Sequence, residues 1–323
     1  MKAIVQDVYG PADVLELRDI AAPVPRGGEV LIRVRAAGVD QGVWHLMTGL
    51  PYLIRLFGYG LKRPKVPVRG REVAGIVEAV GAGVTRFSAG DEVYGTCDGS
   101  FAEYVCAKAD KVARKPANLS FEEAAAAPIS GVTALQAVRD AGGVTVGQKV
   151  LIIGAGGGVG SFAVQLAKAF GAEVTGVCST RKVELVRSLG ADAVIDYTKS
   201  DIAGSGVLYD VILDTAGNRP LSVLRRVLAP KGTLVIVGGE GGGKLTGGFE
   251  RSLGAPFASV FSGQKFKGLV SKETYLDLEA LTSLIEAGRV KPAVDRVFPL
   301  AEAPAAIRYL HEGRSRGKVV VTI

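Results

Sequence analysis

Val150-Leu151-Ile152-Ile153-Gly154-Ala155-Gly156-Gly157-Gly158-Val159-Gly160 reads as a strand, a turn and the opening of a helix. The first four residues form an apolar run short enough for a buried strand, and the glycines follow at once. Ala163, Leu166, Ala167 and Phe170 then recur at the spacing of one helix face, and Gly171 stands where a C-cap belongs. A strand, a glycine turn and a helix in this order form the context of a dinucleotide fingerprint. Glycine permits the tight turn and lets backbone amides approach a pyrophosphate. The helix N-terminus supplies unpaired N–H groups and partial positive charge. Gly154, Gly157, Gly158, Val159 and Gly160 are therefore the candidate phosphate cradle. A glycine-rich turn without a ligand is the alternative.

The pattern continues on the C-terminal side. Strands are expected at 173–177, 193–195, 211–213, 233–237 and 266–270. Val183, Val186 and Leu189 mark one intervening helix. Leu221, Leu224 and Leu228 mark another, stopped by Pro230 and Gly232. Short continuous apolar strands alternating with helices predict a doubly wound parallel sheet, an α/β fold. An NAD site carries an acid at the end of the second strand, for the ribose hydroxyls. Here that stretch is Cys178-Ser179-Thr180-Arg181-Lys182, with no acid between Glu173 and Glu184. Two hydroxyls and two cations suit a 2′-phosphate, so Ser179, Thr180 and Arg181 point to NADPH. The alternative is that the cations are the solvated first turn of the next helix. Cys178 reads as a packed small residue. Asp214 and Asn218 follow the fourth strand at its carboxyl end, the expected cofactor edge, although Asp214 could equally cap a turn.

The first part of the chain differs. Val30 to Arg35 and Val73 to Val80 alternate and are punctuated by Gly and Pro, the mark of an antiparallel, barrel-like β domain. Lys318 to Ile323 is a strand able to complete either domain, and Gly238 to Gly248 reads as a glycine-rich loop. A length of 323 residues suits two domains, and 48% hydrophobic with 22% charged residues excludes general disorder. Glycine, at 44 residues, shows no collagen period. The 18 residues from Val150 to Ala167 lack charge, but their clustered glycines fit the strand–turn–helix better than a membrane span. Cys97, Cys106 and Cys178 imply no disulfide framework. With no signal peptide read at Met1 to Asp7, a reducing, cytoplasmic setting is expected. The net charge of +7 concentrates in Arg55, Lys62, Arg63, Lys65, Arg69 and Arg71, within a stretch from 41 to 71 that contains no acid. Such a segment admits a polyanionic ligand, an RNA or an acidic surface; a solvated basic loop is the simpler reading.

Several stretches together resemble the medium-chain dehydrogenase/reductase superfamily, in its zinc-free quinone oxidoreductase and enone reductase branch. They are Gly75 to Gly81, Gly90 to Gly95, Phe101 to Val105, Ala124 to Ala134, Gly157 to Gly160 and Arg316 to Val321. The resemblance runs end to end. It implies a GroES-like β-barrel catalytic domain over 1–118, completed by 271–323, and a Rossmann NADP-binding domain over 119–270. It also implies homodimers that pair the last Rossmann strand, near Phe266–Val270. Related zinc enzymes hold their metal with a Cys, a His in Gly-His-Glu, and a later Cys. Here the first position is Asp40 and the motif reads Gly70-Arg71-Glu72. Only His45 and His311 occur, so no Cys/His zinc set is expected.

Without a metal, an enone or quinone is an easier acceptor than an isolated ketone, because the added charge spreads into an enolate or hydroquinone anion. His45 resembles the position of a proton-relay histidine in zinc-dependent relatives; a surface or ribose-contacting role is the alternative. Asp40 would orient a ribose hydroxyl or water, or serve as a turn residue. Trp44 and Tyr52 would wall the substrate pocket, or pack in a core. Arg71 would hold a carbonyl oxygen, or pair with an acid such as Asp40. The resemblance places Thr133 near the nicotinamide ribose, Tyr197 near the adenosine end, and Lys318 at the pyrophosphate. For Lys318 a solvent-facing strand charge is the alternative. Two other functions compete with reduction of quinones or enones. One is an RNA- or protein-binding member of the fold, disfavoured by the absence of an RNA-recognition motif. The other is oxidation of simple alcohols, weakened by the missing zinc ligands.

Overall fold

The computed structural model describes residues 1–238, 243–248 and 263–323. They form two compact units, one of Met1–Val132, Glu273–Gly288 and Pro292–Ile323, the other of Thr133–Lys272 and Arg289–Lys291. Within the expected loop at Gly238 to Gly248, residues 239–242 lie outside the described residues.

In the first unit the strands β1 (Lys2–Val5) and β2 (Glu16–Asp19) form an antiparallel pair. The main sheet contains β3 (Glu29–Val39), β4 (Glu72–Val80), β5 (Glu92–Thr96), β6 (Tyr104–Lys108) and β7 (Val112–Arg114). Val30, Ile32 and Val34 are buried and alternate with less buried neighbours, as a half-covered strand requires. Register shifts at Leu31/Ile32 and at Val34/Ala36 bend β3 against β4. Helix α1 (Gln41–Thr48) begins where Asp40 accepts the Val43 amide at 3.3 Å, and ends at Gly49 in the left-handed region.

The second unit is entered through α2 (Phe121–Ala125), still in the first unit, and α3 (Pro128–Leu135). Its strands are β8 (Lys149–Ile153), β9 (Glu173–Cys178), β10 (Ala193–Asp196), β11 (Tyr209–Asp214), β12 (Leu228–Ile236) and β13 (Lys265–Gly268). Its helices include α4 (Gly158–Ala169), α5 (Val183–Ser188) and α6 (Leu221–Val227). All five strand pairings are parallel, in the order β10-β9-β8-β11-β12-β13. The order in which strands are added therefore reverses between β8 and β11, a topological switch point whose crevice opens at the carboxyl ends of both strands. Leu151, Ile153, Ile212, Leu224 and Leu234 form the core on one face. Pro230 and Gly232, expected to stop a helix, lie within β12. The pairing passes from Tyr209–Leu228 to Val211–Thr233 through a bulge, which accommodates the proline's missing N–H.

The chain then returns to the first unit with α7 (Tyr275–Glu286), β14 (Val294–Pro299), α8 (Ala303–His311) and β15 (Lys318–Thr322). β15 lies between β14 and β3, so the terminal strand completes the first unit's sheet. Val39, Val43, Met47, Ile307, Val319 and Val321 form the core beneath α1 and α8.

Candidate functional site

In the second unit, Gly154 ends β8 with φ +84°, and a Cβ there would approach Thr215 Oγ1 to 2.6 Å. The Gly154 amide donates to the Val177 carbonyl at 3.1 Å, and Gly157 N–H to the Gly154 carbonyl at 2.9 Å, closing the turn. Gly157 caps α4 with extended backbone and no side chain. The first amide of α4 bonded back is that of Ser161, to Gly157 O at 3.0 Å, so the amides of Gly158, Val159 and Gly160 belong to the helix's open first turn. A Cβ on Gly160 would fall on the Gly154 carbonyl oxygen, so only glycine lets this turn pack so closely. These residues fit a pyrophosphate.

The other nucleotide candidates belong to the same unit. Ser179 precedes the turn Thr180–Lys182. Thr180 Oγ1 donates to Asp196 at 2.6 Å and lies 2.9 Å from Thr198 Oγ1. The Thr180 hydroxyl, with bonds from Thr198, holds the Asp196 carboxyl below its ordinary range. Asp196 is the acid that sequence reasoning missed: it lies on β10 directly beside Cys178 on β9. Arg181 is exposed, and the Lys182 stem covers Gly156, whose Cβ would meet Lys182 Cβ at 2.8 Å. Tyr197 is half-exposed and its amide donates to the Cys178 carbonyl at 3.1 Å. Asp214, fully buried beside Ile153 in the sheet register, accepts the Gly217 amide at 2.9 Å and orders the turn that leads to exposed Asn218. Thr133 is buried in α3.

In the first unit, Asp40 Oδ1 caps α1, while its buried Oδ2 has no hydrogen-bond partner among the described residues. Arg71 donates to Glu273 at 3.3 Å. Burial pulls the Arg71 guanidinium down, but Asp40, Glu273, Tyr59 and Asp98 outweigh it and leave it raised, so it stays charged. Next to it, Glu72 is fully buried, accepts Lys318 Nζ at 2.5 Å on one oxygen and the Ile129 amide at 2.9 Å on the other. Lys318 also donates to Ser130 at 3.1 Å. Burial pushes the Glu72 carboxyl up, opposed by Lys318. Lys318, expected at a pyrophosphate or in solvent, is thus directed inward, because the buried Glu72 carboxylate requires a counter-charge.

His45 Nδ1 lies 2.8 Å from the Leu50 carbonyl, which can only accept, so Nδ1 carries a proton. Trp44 stacks on His311 with centroids 3.5 Å apart and an interplanar angle of 10°, and packs against the core under α8. Half-exposed Tyr52 lies beneath the Arg55 guanidinium at 4.8 Å, which also covers the Tyr9 ring at 4.3 Å. Of the basic segment, Arg55 is thus stacked, Arg69 buried and Arg71 paired, so the segment is no uniform basic face.

A zinc ion does not fit the residues at the ligand positions. Arg71 presents a cation, and Glu72 is bound by Lys318 and Ile129. No group of three or more His, Cys, Asp and Glu able to hold a metal occurs among the described residues. No helix among them is long and apolar enough to cross a membrane.

Residues 26–117 match the alcohol dehydrogenase GroES-like domain family, and residues 189–321 match the zinc-binding dehydrogenase family. The chain is 33% identical to a quinone oxidoreductase of Sus scrofa, covering 100% of this chain and 98% of that one. It is 35% identical to an NADPH-dependent alkenal/one oxidoreductase of Arabidopsis thaliana, covering 99% of this chain and 79% of that one. Among solved structures, the quinone oxidoreductase from Coxiella burnetii superposes with a TM-score of 0.84 at 30% identity, covering 100% of this chain and 99% of the other. With a GroES-like unit, a Rossmann-type parallel sheet and these relatives, the chain belongs to the medium-chain dehydrogenase/reductase superfamily and is an oxidoreductase.

Proposed function

We propose that the protein is an NADPH-dependent reductase of quinones or α,β-unsaturated carbonyls that works without zinc. The observation that carries this reading is Arg71: a guanidinium paired with Glu273 and kept charged by the nearby Asp40 carboxylate supplies fixed positive charge where related enzymes use a metal. Quinones and enones need less polarisation than isolated ketones, which favours them over simple alcohol–ketone chemistry. The relatives named for quinones and for alkenals or enones support the same class.

When bound, NADPH supplies the hydride. The chain's own residues bind and orient. The turn from Gly154 to Gly160 takes the pyrophosphate on the amides of Gly158, Val159 and Gly160. Ser179 and Arg181 take the 2′-phosphate, and Thr180, whose one hydroxyl proton is donated to Asp196, fixes the turn that carries them. Tyr197 lies at the adenosine end, Asp214 orders the turn carrying Asn218, and Thr133 serves the ribose. Arg71 stabilises the negative charge that develops on the acceptor oxygen as its carbon receives hydride. His45, with Nδ1–H donated to Leu50, holds the tautomer that receives or delivers a proton at Nε2. A homodimer formed through the edge strand β13 and a cytoplasmic setting with all three cysteines reduced belong to the same reading.

The test is steady-state oxidation of NADPH and NADH, in chelator, with a simple 1,4-quinone and an acyclic enone. Strong preference for NADPH with turnover of either acceptor is expected. Equal use of NADH refutes the cofactor assignment. Turnover of a secondary alcohol with neither conjugated acceptor reduced refutes the substrate class.

A further inference from the structure

The first unit contains a second cation that the proposed chemistry does not use. Arg69 is 5% exposed, at the end of the segment that leads into Gly70. Its backbone is fixed on both sides, the amide donating to Ile4 at 3.0 Å and the carbonyl accepting from Phe101 at 2.8 Å. Its side chain is not matched in the same way. Nε is buried and has no hydrogen-bond partner among the described residues. No carboxylate among them forms an ion pair with it; Asp98 and Tyr9 act on it only through space. A buried guanidinium N–H left without a partner is costly, and native chains keep one where something meets the group.

Arg69 lines a cavity of about 220 Å³ in the first unit that is partly open to solvent. Val43, Leu46 and Val66 give it apolar walls, and Lys65 and Asp98 stand at exposed positions of its lining. Two cations and one carboxylate leave a single net positive charge. That balance matches a monoanion, and the apolar walls disfavour a strongly hydrated dianion. The planar fork of a guanidinium suits a carboxylate bidentately. The volume is below that of drug-sized sites, so the occupant is small.

We propose that this cavity is a binding site for a small carboxylate with an apolar body, of the size of an aromatic acid, held by Arg69. Burial lowers the Arg69 guanidinium to about 10, so it remains charged at neutral pH. The test is separable from the reductase reading, since it reads ligand-linked stability and uses neither nucleotide nor acceptor.

The experiment is thermal unfolding of the full chain with benzoate, with benzamide as its neutral counterpart, and with inorganic phosphate, all at matched ionic strength. Benzoate is expected to raise the midpoint saturably while benzamide does not. Arg69→Met is expected to unfold at a higher temperature than wild type without ligand, because a buried unpaired charge is gone, and to lose the benzoate response. Arg69→Lys keeps the charge without the fork and is expected to bind benzoate about tenfold more weakly. Equal stabilisation by benzamide overturns the proposal. So does a benzoate response undiminished in both variants. An Arg69-dependent response to phosphate with none to benzoate overturns the carboxylate assignment.

Discussion

Removing Lys318 should be the most damaging single change to the first unit. Glu72 is fully buried and Lys318 is 2% exposed, so neither has water to fall back on. In Lys318→Met the 2.5 Å contact is lost, and the Glu72 carboxylate keeps only the Ile129 amide. Breaking a buried pair from one side costs about 3–5 kcal/mol, because a charge is left uncompensated. For a unit of this size that lowers the unfolding midpoint by about 6–20 °C. The double variant Glu72→Gln/Lys318→Met removes both charges while Gln can still accept from Ile129, and should recover most of the loss. Trp44, the single tryptophan, lies in this unit and reports its urea unfolding by fluorescence. The pH dependence has a definite sign. Burial raises Glu72 in the folded state, and Lys318→Met removes the main opposing group. A carboxyl raised above its unfolded value of about 4.3 favours folding most below that value and loses the contribution as pH climbs. The defect should therefore be full at neutral pH and shrink at about pH 5. A loss under about 1 kcal/mol, or one that is the same at both pH values, would refute the reasoning.

Gly160→Ala should abolish NADPH binding, because its Cβ would fall on the Gly154 carbonyl; fluorescence titration within about threefold of wild type would contradict this. Arg181→Ala should weaken NADPH about tenfold while leaving NADH unchanged, read from the ratio of the two KM values. His45→Gln should lower kcat about tenfold or more with KM for NADPH unmoved, read from steady-state kinetics.

The nucleotide-binding half was readable from local pattern. A strand, its glycine turn and the helix after it are contiguous, so periodicity alone placed Gly154 to Gly160 at the carboxyl end of β8. Features that depend on register or on distant pairing were not. Asp196 escaped because it ends a different strand, and only the parallel pairing of β10 with β9 brings it to Thr180. Lys318 looked like a surface or phosphate-reaching cation because its partner, Glu72, is remote in sequence and becomes a neighbour only when β15 is inserted. Trp44 resembled a pocket wall; its stacking on His311 depends on how α8 lies over α1, which one sequence does not disclose. Arg69 was counted with a basic segment, since charge composition cannot distinguish a solvated arginine from a buried one that lines a cavity.

The position of β15 also orders the birth of the protein. Ala36 to Val39 pair with Thr322 to Val319, so this edge of β3 waits for roughly 280 further residues to be synthesised. At ordinary elongation speeds that wait is on the order of 15–60 s. The parallel sheet, contiguous from Lys149 to Gly268, leaves the ribosome well before it ends. The nascent chain therefore carries a finished nucleotide-binding half while the Val39, Val43 and Met47 core remains open, and chaperones would be needed most in that interval.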